Sequence, residues 1–131
     1  MKKTFFFVLL AAVFSSFYNE PTLKGTWEFR GGVYNGKIDV APKNYRLQRR
    51  YTATLYDAYV LENGAKTEKY ESGKYLLKGD TCMETQTYCS QPSKLIGVTV
   101  HYLYKFKHDT LVLQAKLPNG NTEQDYWKRI K

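Results

Sequence analysis

Histidine and cysteine are scarce: two of each in 131 residues. That leaves little material for a metal centre or for nucleophilic catalysis. His108 falls in an expected turn and His101 on a strand face opposite the apolar one, and neither lies near a nucleophile in sequence. There is no G-x-S-x-G, no H-E-x-x-H, no phosphate-cradling glycine loop and no C-x-x-C. The one remaining catalytic arrangement is a carboxylate pair such as Asp125 with Glu84. The chain is therefore read as a non-enzyme, with no metal and no cofactor. Acidic residues are also few, 12 against 20 Lys and Arg, for a net charge of +8. Such a surface can meet anionic lipid, acidic glycan or nucleic acid, but the basic residues are spread along the chain. Their one dense cluster, Arg46, Arg49 and Arg50, reads as a solvated strand face.

Long apolar runs are missing too, apart from one at the start. Lys2 and Lys3 precede the apolar run 4–14, followed by Ser15 and Ser16. A positive start, a short apolar run and small residues form a secretory leader. The run is shorter than the roughly 20 residues a spanning helix needs. The expectation is a signal peptide over 1–16, cleavage near 16–19, and one domain over 20–131 in the periplasm or outside the cell. No membrane span is expected, and export weighs against a nucleic-acid partner. Without the leader lysines the charge is 18 − 12 = +6.

What is abundant is strand composition. Val98, Val100, Tyr102, Tyr104 and Phe106 alternate with Thr99, His101, Leu103, Lys105 and Lys107. Leu111, Leu113, Ala115 and Leu117 alternate with Val112, Gln114 and Lys116. The period is two, and Gly, Asn, Asp and Pro mark the breaks. Strands are expected over 23–30, 44–50, 52–61, 67–78, 80–88, 96–107, 110–117 and 121–130. Turns fall at Gly31-Gly32, Asn63-Gly64, Gly79-Asp80, His108-Asp109 and Pro118-Asn119-Gly120, with 36–43 the least regular connection. Eight antiparallel strands in sequence order suggest an all-β up-and-down meander, and closing it into a barrel removes the exposed edges. Cys82 lies on the strand expected over 80–88 and Cys89 directly follows it; seven extended steps between them span roughly 23 Å. A disulfide needs less than about 7 Å, so a bridge requires a turn or bulge inside that segment, and their pairing stays open.

Two hairpins decide which residues share a face. A two-residue turn at His108-Asp109 pairs Phe106 with Leu111, Tyr104 with Leu113 and Tyr102 with Ala115. Pro118 and Gly120 suit a type I turn followed by a left-handed glycine bulge. That loop pairs Leu117 with Asn121, Ala115 with Glu123, Leu113 with Asp125 and Leu111 with Trp127. Trp127 and Arg129 then join the leucine face, the expected barrel interior, with Asp125 and Glu123 aimed inward further along. A two-residue Asn119-Gly120 turn would instead put Tyr126 and Ile130 inside, and Pro118 favours the bulged form.

Leu23-Lys24-Gly25-Thr26-Trp27-Glu28 near the start and Tyr126-Trp127-Lys128-Arg129-Ile130 near the end resemble the lipocalin and calycin pattern. The likeness is nearer to the lipocalin-like domains of exported bacterial proteins, which run from L-x-G-T-W to W-K-R-[VI]. Gly73-Lys74-Tyr75, Gly79-Asp80-Thr81, Leu95-Ile96-Gly97 and Asp109-Thr110-Leu111 also look like that family. The resemblance implies an eight-stranded up-and-down barrel, closed at one end and open at the other. It also implies that Trp27 plugs the closed end with Arg129 across its ring, a structural closure pair. A guanidinium over indole gains about 0.5–2 kcal/mol.

An eight-stranded barrel either fills itself with side chains or holds one small ligand. Tyr102 and Tyr104, with Tyr59 and Tyr75, are the expected interior tyrosines, suited to an amphipathic or aromatic molecule. Glu123 and Asp125 point inward away from Trp127, and Glu84 raises the same question. A buried carboxylate is costly without a partner. These seven residues are the candidate ligand contacts, for a small amphipathic or hydrophobic molecule in the barrel mouth. The competing reading is a packed, ligand-free barrel binding a cell-envelope protein or glycan through the outer stripe Lys105, Lys107, Gln114, Lys116, Tyr126 and Lys128.

Overall fold

The structure, a computed structural model, describes residues 22–130. The expected leader over 1–16 and the expected domain boundary at 20 lie outside the described residues. Among these there are nine strands and no helix, hence no helix long and apolar enough to cross a membrane. The strands are β1 (Gly25–Tyr34), β2 (Lys37–Asp39), β3 (Tyr45–Tyr51), β4 (Leu55–Glu62), β5 (Glu68–Lys78), β6 (Thr81–Cys89), β7 (Thr99–Lys107), β8 (Thr110–Lys116) and β9 (Thr122–Ile130). Every neighbouring pair is antiparallel. β1 pairs with β9, which closes eight of the strands into a barrel, and β2 is a ninth strand added along the second half of β1.

The two hairpin registers agree with the sequence pattern. Phe106 faces Leu111 and Tyr104 faces Leu113. Leu111, Leu113 and Ala115 face Trp127, Asp125 and Glu123. Gly120 takes a φ of 88° in the bulged loop, and the Leu117 amide donates to the Asn121 carbonyl at 2.7 Å.

Three bulges change which residues point inward. On β1, Phe29 faces Trp127 but Gly31 faces Tyr126, so Arg30 is the extra residue. The inward set switches there from Trp27 and Phe29 to Gly32 and Tyr34, opposite Asp125 and Glu123. Gly31-Gly32 is therefore a bulge inside one long strand and not the expected turn. A Cβ on Gly32 would collide with the Gln124 carbonyl and meet Asp125 at 3.2 Å. The reversal comes later, at Asn35-Gly36, where both residues have positive φ, as a tight two-residue hairpin requires. On β5, Tyr70 is extra between the pairs Ala58–Glu71 and Tyr59–Lys69. On β6, Thr87 is extra between Ser72–Tyr88 and Gly73–Gln86.

Two further expectations are corrected. The strand expected over 96–107 begins at Thr99, because residues 90–98 turn back toward β6. The Gly97 amide donates to the Gln86 carbonyl at 2.8 Å and the Ser93 hydroxyl to Gln86 Oε1 at 2.5 Å. Tyr59 is not interior: it alternates with the buried Tyr56 and Ala58, and its ring lies on the outer face 4.2 Å from Arg50 Cζ. Cys82 and Cys89 are both free, at opposite ends of β6.

The core fills the end of the barrel around Trp27, which is 1% exposed. Its Nε1 donates to the Leu23 carbonyl at 2.9 Å, and Phe106 stacks on it with ring centroids 6.0 Å apart. Phe29 meets Trp127 edge-on at 5.3 Å. Arg129 Cζ lies 4.3 Å from the Trp27 ring centroid, and Arg129 Nη1 donates to the Lys24 carbonyl at 3.3 Å. The chain entering β1 is thereby tied to the end of β9.

Truncating Trp27 to Ala should cost about 3–5 kcal/mol, and Arg129→Ala about 0.5–1 kcal/mol for a partly exposed cation over a ring. In urea unfolding, the double variant should lose less than the sum of the two. Strict additivity would remove the coupling between the two side chains.

Candidate functional site

The other end of the barrel is chemically different. β3 alternates Leu47, Arg49 and Tyr51 inward with Arg46, Gln48 and Arg50 outward, so a guanidinium enters the interior. Arg49 Nη1 donates to both oxygens of Glu84, at 2.8 and 3.0 Å, and to the Tyr51 hydroxyl at 2.8 Å. Its Nη2 lies 3.5 Å from Glu71 Oε2. Tyr51 donates to Glu84 Oε2 at 3.0 Å and Tyr56 to Glu71 Oε2 at 2.5 Å. The Arg49 Cζ also sits 4.8 Å from the Tyr56 ring and 5.3 Å from the Trp127 ring. Gly73, opposite Tyr56, leaves the space that its ring occupies; a Cβ there would come within 2.5 Å of that ring.

Burial sets the protonation of this cluster. It would lower the Arg49 pKa, but Glu84, Tyr51 and Glu71 more than offset that, so the guanidinium stays charged. Burial, with Glu84 beside them, pushes the Tyr102 hydroxyl and the Cys82 thiol well above their ordinary ranges. Cys82 is thus a neutral thiol, the opposite of an activated nucleophile. Asp125 is pushed up to about 9, first by burial and then by Glu123 as hydrogen-bond partner and as like charge. Asp125 therefore keeps its proton through neutral pH.

Above this floor lies a cavity of about 160 Å³, lined by Arg49, Tyr56, Glu71, Glu84, Gln86, Leu95, Val98, Val100, Tyr102, Leu117 and Glu123. Leu95 and Val98 come from the 90–98 segment, which covers part of the mouth. Tyr102 is 8% exposed, lines the cavity, and makes no side-chain hydrogen bond to another described residue. The Trp127 indole N–H, by contrast, is fully buried and has no hydrogen-bond partner among the described residues. Beside the cavity, at the same end of the barrel, a more open hollow of about 300 Å³ is lined by Tyr45, Leu47, Val60, Glu62 and Tyr70.

Of the candidate ligand contacts, Glu84, Tyr102 and Glu123 line one cavity, with Asp125 beside Glu123. Tyr75 and Tyr104 lie toward the closed end, where their hydroxyls donate to the backbone carbonyls of Thr52 and Gly79. Tyr59 is outside. Arg49, Tyr51, Tyr56 and Glu71 were not among the candidates. For Arg49 and Tyr51 the signal was present, since both alternate in step with Leu47. His101 and His108 are both exposed; His101 pairs with Met83, next to Glu84, but on the opposite, outer face of the sheet.

Two outcomes follow. Replacing Arg49 with Met leaves Glu84 and Glu71 without their cation and should cost about 3–5 kcal/mol, measured by denaturant unfolding at neutral pH; an unchanged midpoint would show that the pair contributes nothing net. Asp125 holds its proton in the folded state up to about 9 but loses it near 3.9 when unfolded. The folded state therefore binds more protons between these values, and stability falls as pH rises through that window. Asp125→Asn should flatten this loss between pH 5 and 8; parallel curves for the two proteins would place the Asp125 carboxyl in water.

No protein-family model matches the sequence, and no curated protein matches it. Among solved structures it is similar to a lipocalin-like protein from Bacteroides uniformis ATCC 8492, with a TM-score of 0.55 and 16% identity over 82% of this chain and 98% of that one. At that identity the likeness speaks to the fold, and with the β1–β9 closure it makes this domain a lipocalin-like eight-stranded antiparallel barrel carrying one extra strand.

Proposed function

We propose that this protein is an exported binding module that holds one small ligand in the mouth of its barrel. The observation that carries the reading is the cavity at the mouth, about 160 Å³, on whose wall the 8%-exposed Tyr102 makes no hydrogen bond to another described residue. A molecule bound there can take the hydrogen bond that this hydroxyl does not make to the described residues. The size limits the occupant. A cavity of about 150 Å³ takes benzene, so about 160 Å³ suits a molecule of roughly six to nine heavy atoms. A fatty acid or other long lipid does not fit inside it. The amphipathic part of the expectation is retained, because Leu95, Val98, Val100 and Leu117 offer apolar walls opposite polar ones. Binding without catalysis fits the state of the carboxylates. Glu84 is held by Arg49 and Tyr51, and Asp125 keeps its proton, so neither is free to act as a base.

A second reading has its own observation. A groove of about 440 Å³ crosses the outer face, lined by His101, Leu103, Gln114, Lys116 and Gln124 among others, with Leu103 53% exposed. It overlaps the basic stripe and suits a cell-envelope protein or glycan.

One NMR experiment separates the two. A screen of compounds of up to about ten heavy atoms should shift Leu95, Val98 and Val100, and filling the cavity with Val100→Phe should abolish those shifts. Perturbation confined to Leu103 and Gln114 would favour the outer face, and no perturbation at either place would reject the mouth as a binding site.

A further inference from the structure

Resting on the mouth-binding reading, we infer that the cavity selects a small organic cation, a protonated amine with a short apolar body. The argument is a count of charge at the wall. Its ionisable lining residues besides tyrosine are Arg49, Glu71, Glu84 and Glu123. One cation faces three carboxylates, and that cation is already engaged by two of them. Glu123 has no ion-pair partner among the described residues. Its neighbour Asp125 offers a hydrogen bond but no compensating charge. Glu123 is half-buried on the cavity wall, and a carboxylate there gains most from a cation that can hydrogen-bond to it.

The remaining wall fits the rest of such a ligand. Tyr102 and Tyr56 line the same space, and aromatic faces attract a cation electrostatically. The Tyr102 hydroxyl accepts a hydrogen bond from an ammonium as readily as it donates to a neutral group. Leu95, Val98, Val100 and Leu117 take the apolar body. An anionic ligand meets the opposite case. Arg49 is the one lining cation, its Nη1 donates to Glu84 and Tyr51, and its Nη2 faces Glu71. A bound carboxylate would have to displace Glu84 or Glu71 and leave it buried without a cation. A bare metal ion finds no group of three or more suitable ligands among the described residues.

The test is calorimetric titration of the folded domain at pH 7 with three probes of nearly one size: n-butylammonium, n-butanol and butyrate. The expected result is binding of n-butylammonium at least tenfold tighter than n-butanol, and no binding of butyrate. Glu123→Gln, which keeps the side-chain shape, should weaken n-butylammonium at least tenfold and leave n-butanol unchanged. Tyr102→Phe should weaken both. Equal affinity for n-butylammonium and n-butanol, or an undiminished affinity in Glu123→Gln, overturns the cation preference and leaves the mouth as a binding site. Tightest binding of butyrate overturns it in favour of an Arg49 anion site. Failure of all three probes, in a protein whose fold is confirmed by its spectrum, overturns both the preference and the mouth-binding reading.

Discussion

One guanidinium organises the interior. Arg49 is placed inside by nothing more than strand alternation, yet a charge there is unfavourable unless it is paired and hydrogen-bonded. Its partners come from different strands: Tyr51 from β3, Glu71 from β5 and Glu84 from β6. Satisfying this one group therefore ties together walls of the barrel that are not neighbours in the sheet. It also divides the interior. On the Trp27 side the space is filled by aromatic and aliphatic side chains, and on the other side it is polar and partly empty. A wholly apolar interior of the same size would pack to crystal-like density and leave no comparable cavity.

The glycines and bulges make sense as accommodations of this divided interior. Gly73 gives the Tyr56 ring its place against β5, from which the hydroxyl reaches Glu71. Gly32 does the same for Asp125 on β9. The β1 bulge shifts the inward set by one residue, so that the bulky Trp27 and Phe29 of the closed end give way to Gly32 facing the mouth. Without the bulge, Gly31 and Val33 would take the inward positions that Gly32 and Tyr34 hold. The Arg129–Trp27 contact then fixes the seam between first and last strands, and the seam holds β9, with Asp125 and Glu123, in register with β1.

How much of this was legible in the sequence depends on what each feature rests on. The all-β class, the order of the eight barrel strands and the pairings of Phe106 and Tyr104 with Leu111 and Leu113, and of these leucines with Trp127 and Asp125, follow from local rules of alternation and turn chemistry and are legible in the sequence. Features decided by a partner strand were not readable. Whether Gly31-Gly32 turns or bulges depends on what β9 offers opposite it, and the double glycine is compatible with either. Residues 90–98 have alternating character near their end, but their path is set by hydrogen bonds to Gln86 on another strand. Arg49 was hidden by its company. Between Arg46 and Arg50 it looks like part of a solvated face, and only the parity it shares with Leu47 and Tyr51 separates it from them. Tyr59 erred in the other direction, since its residue type suggests a core while its parity with Tyr56 and Ala58 puts it outside.

Net charge misleads about this site for a reason that is also physical. The chain carries +8 in all, which points to an anionic partner. Those charges lie mostly on the outer face, where water and salt screen them within about 10 Å. Inside the barrel the dielectric is lower and the screening absent, so a few nearby carboxylates outweigh many remote lysines. The mouth then carries the opposite sign from the molecule as a whole. A basic exterior and an acidic pocket are not in conflict, because each is felt only at its own distance. The outer face and the cavity thus present different charges, set by different residues.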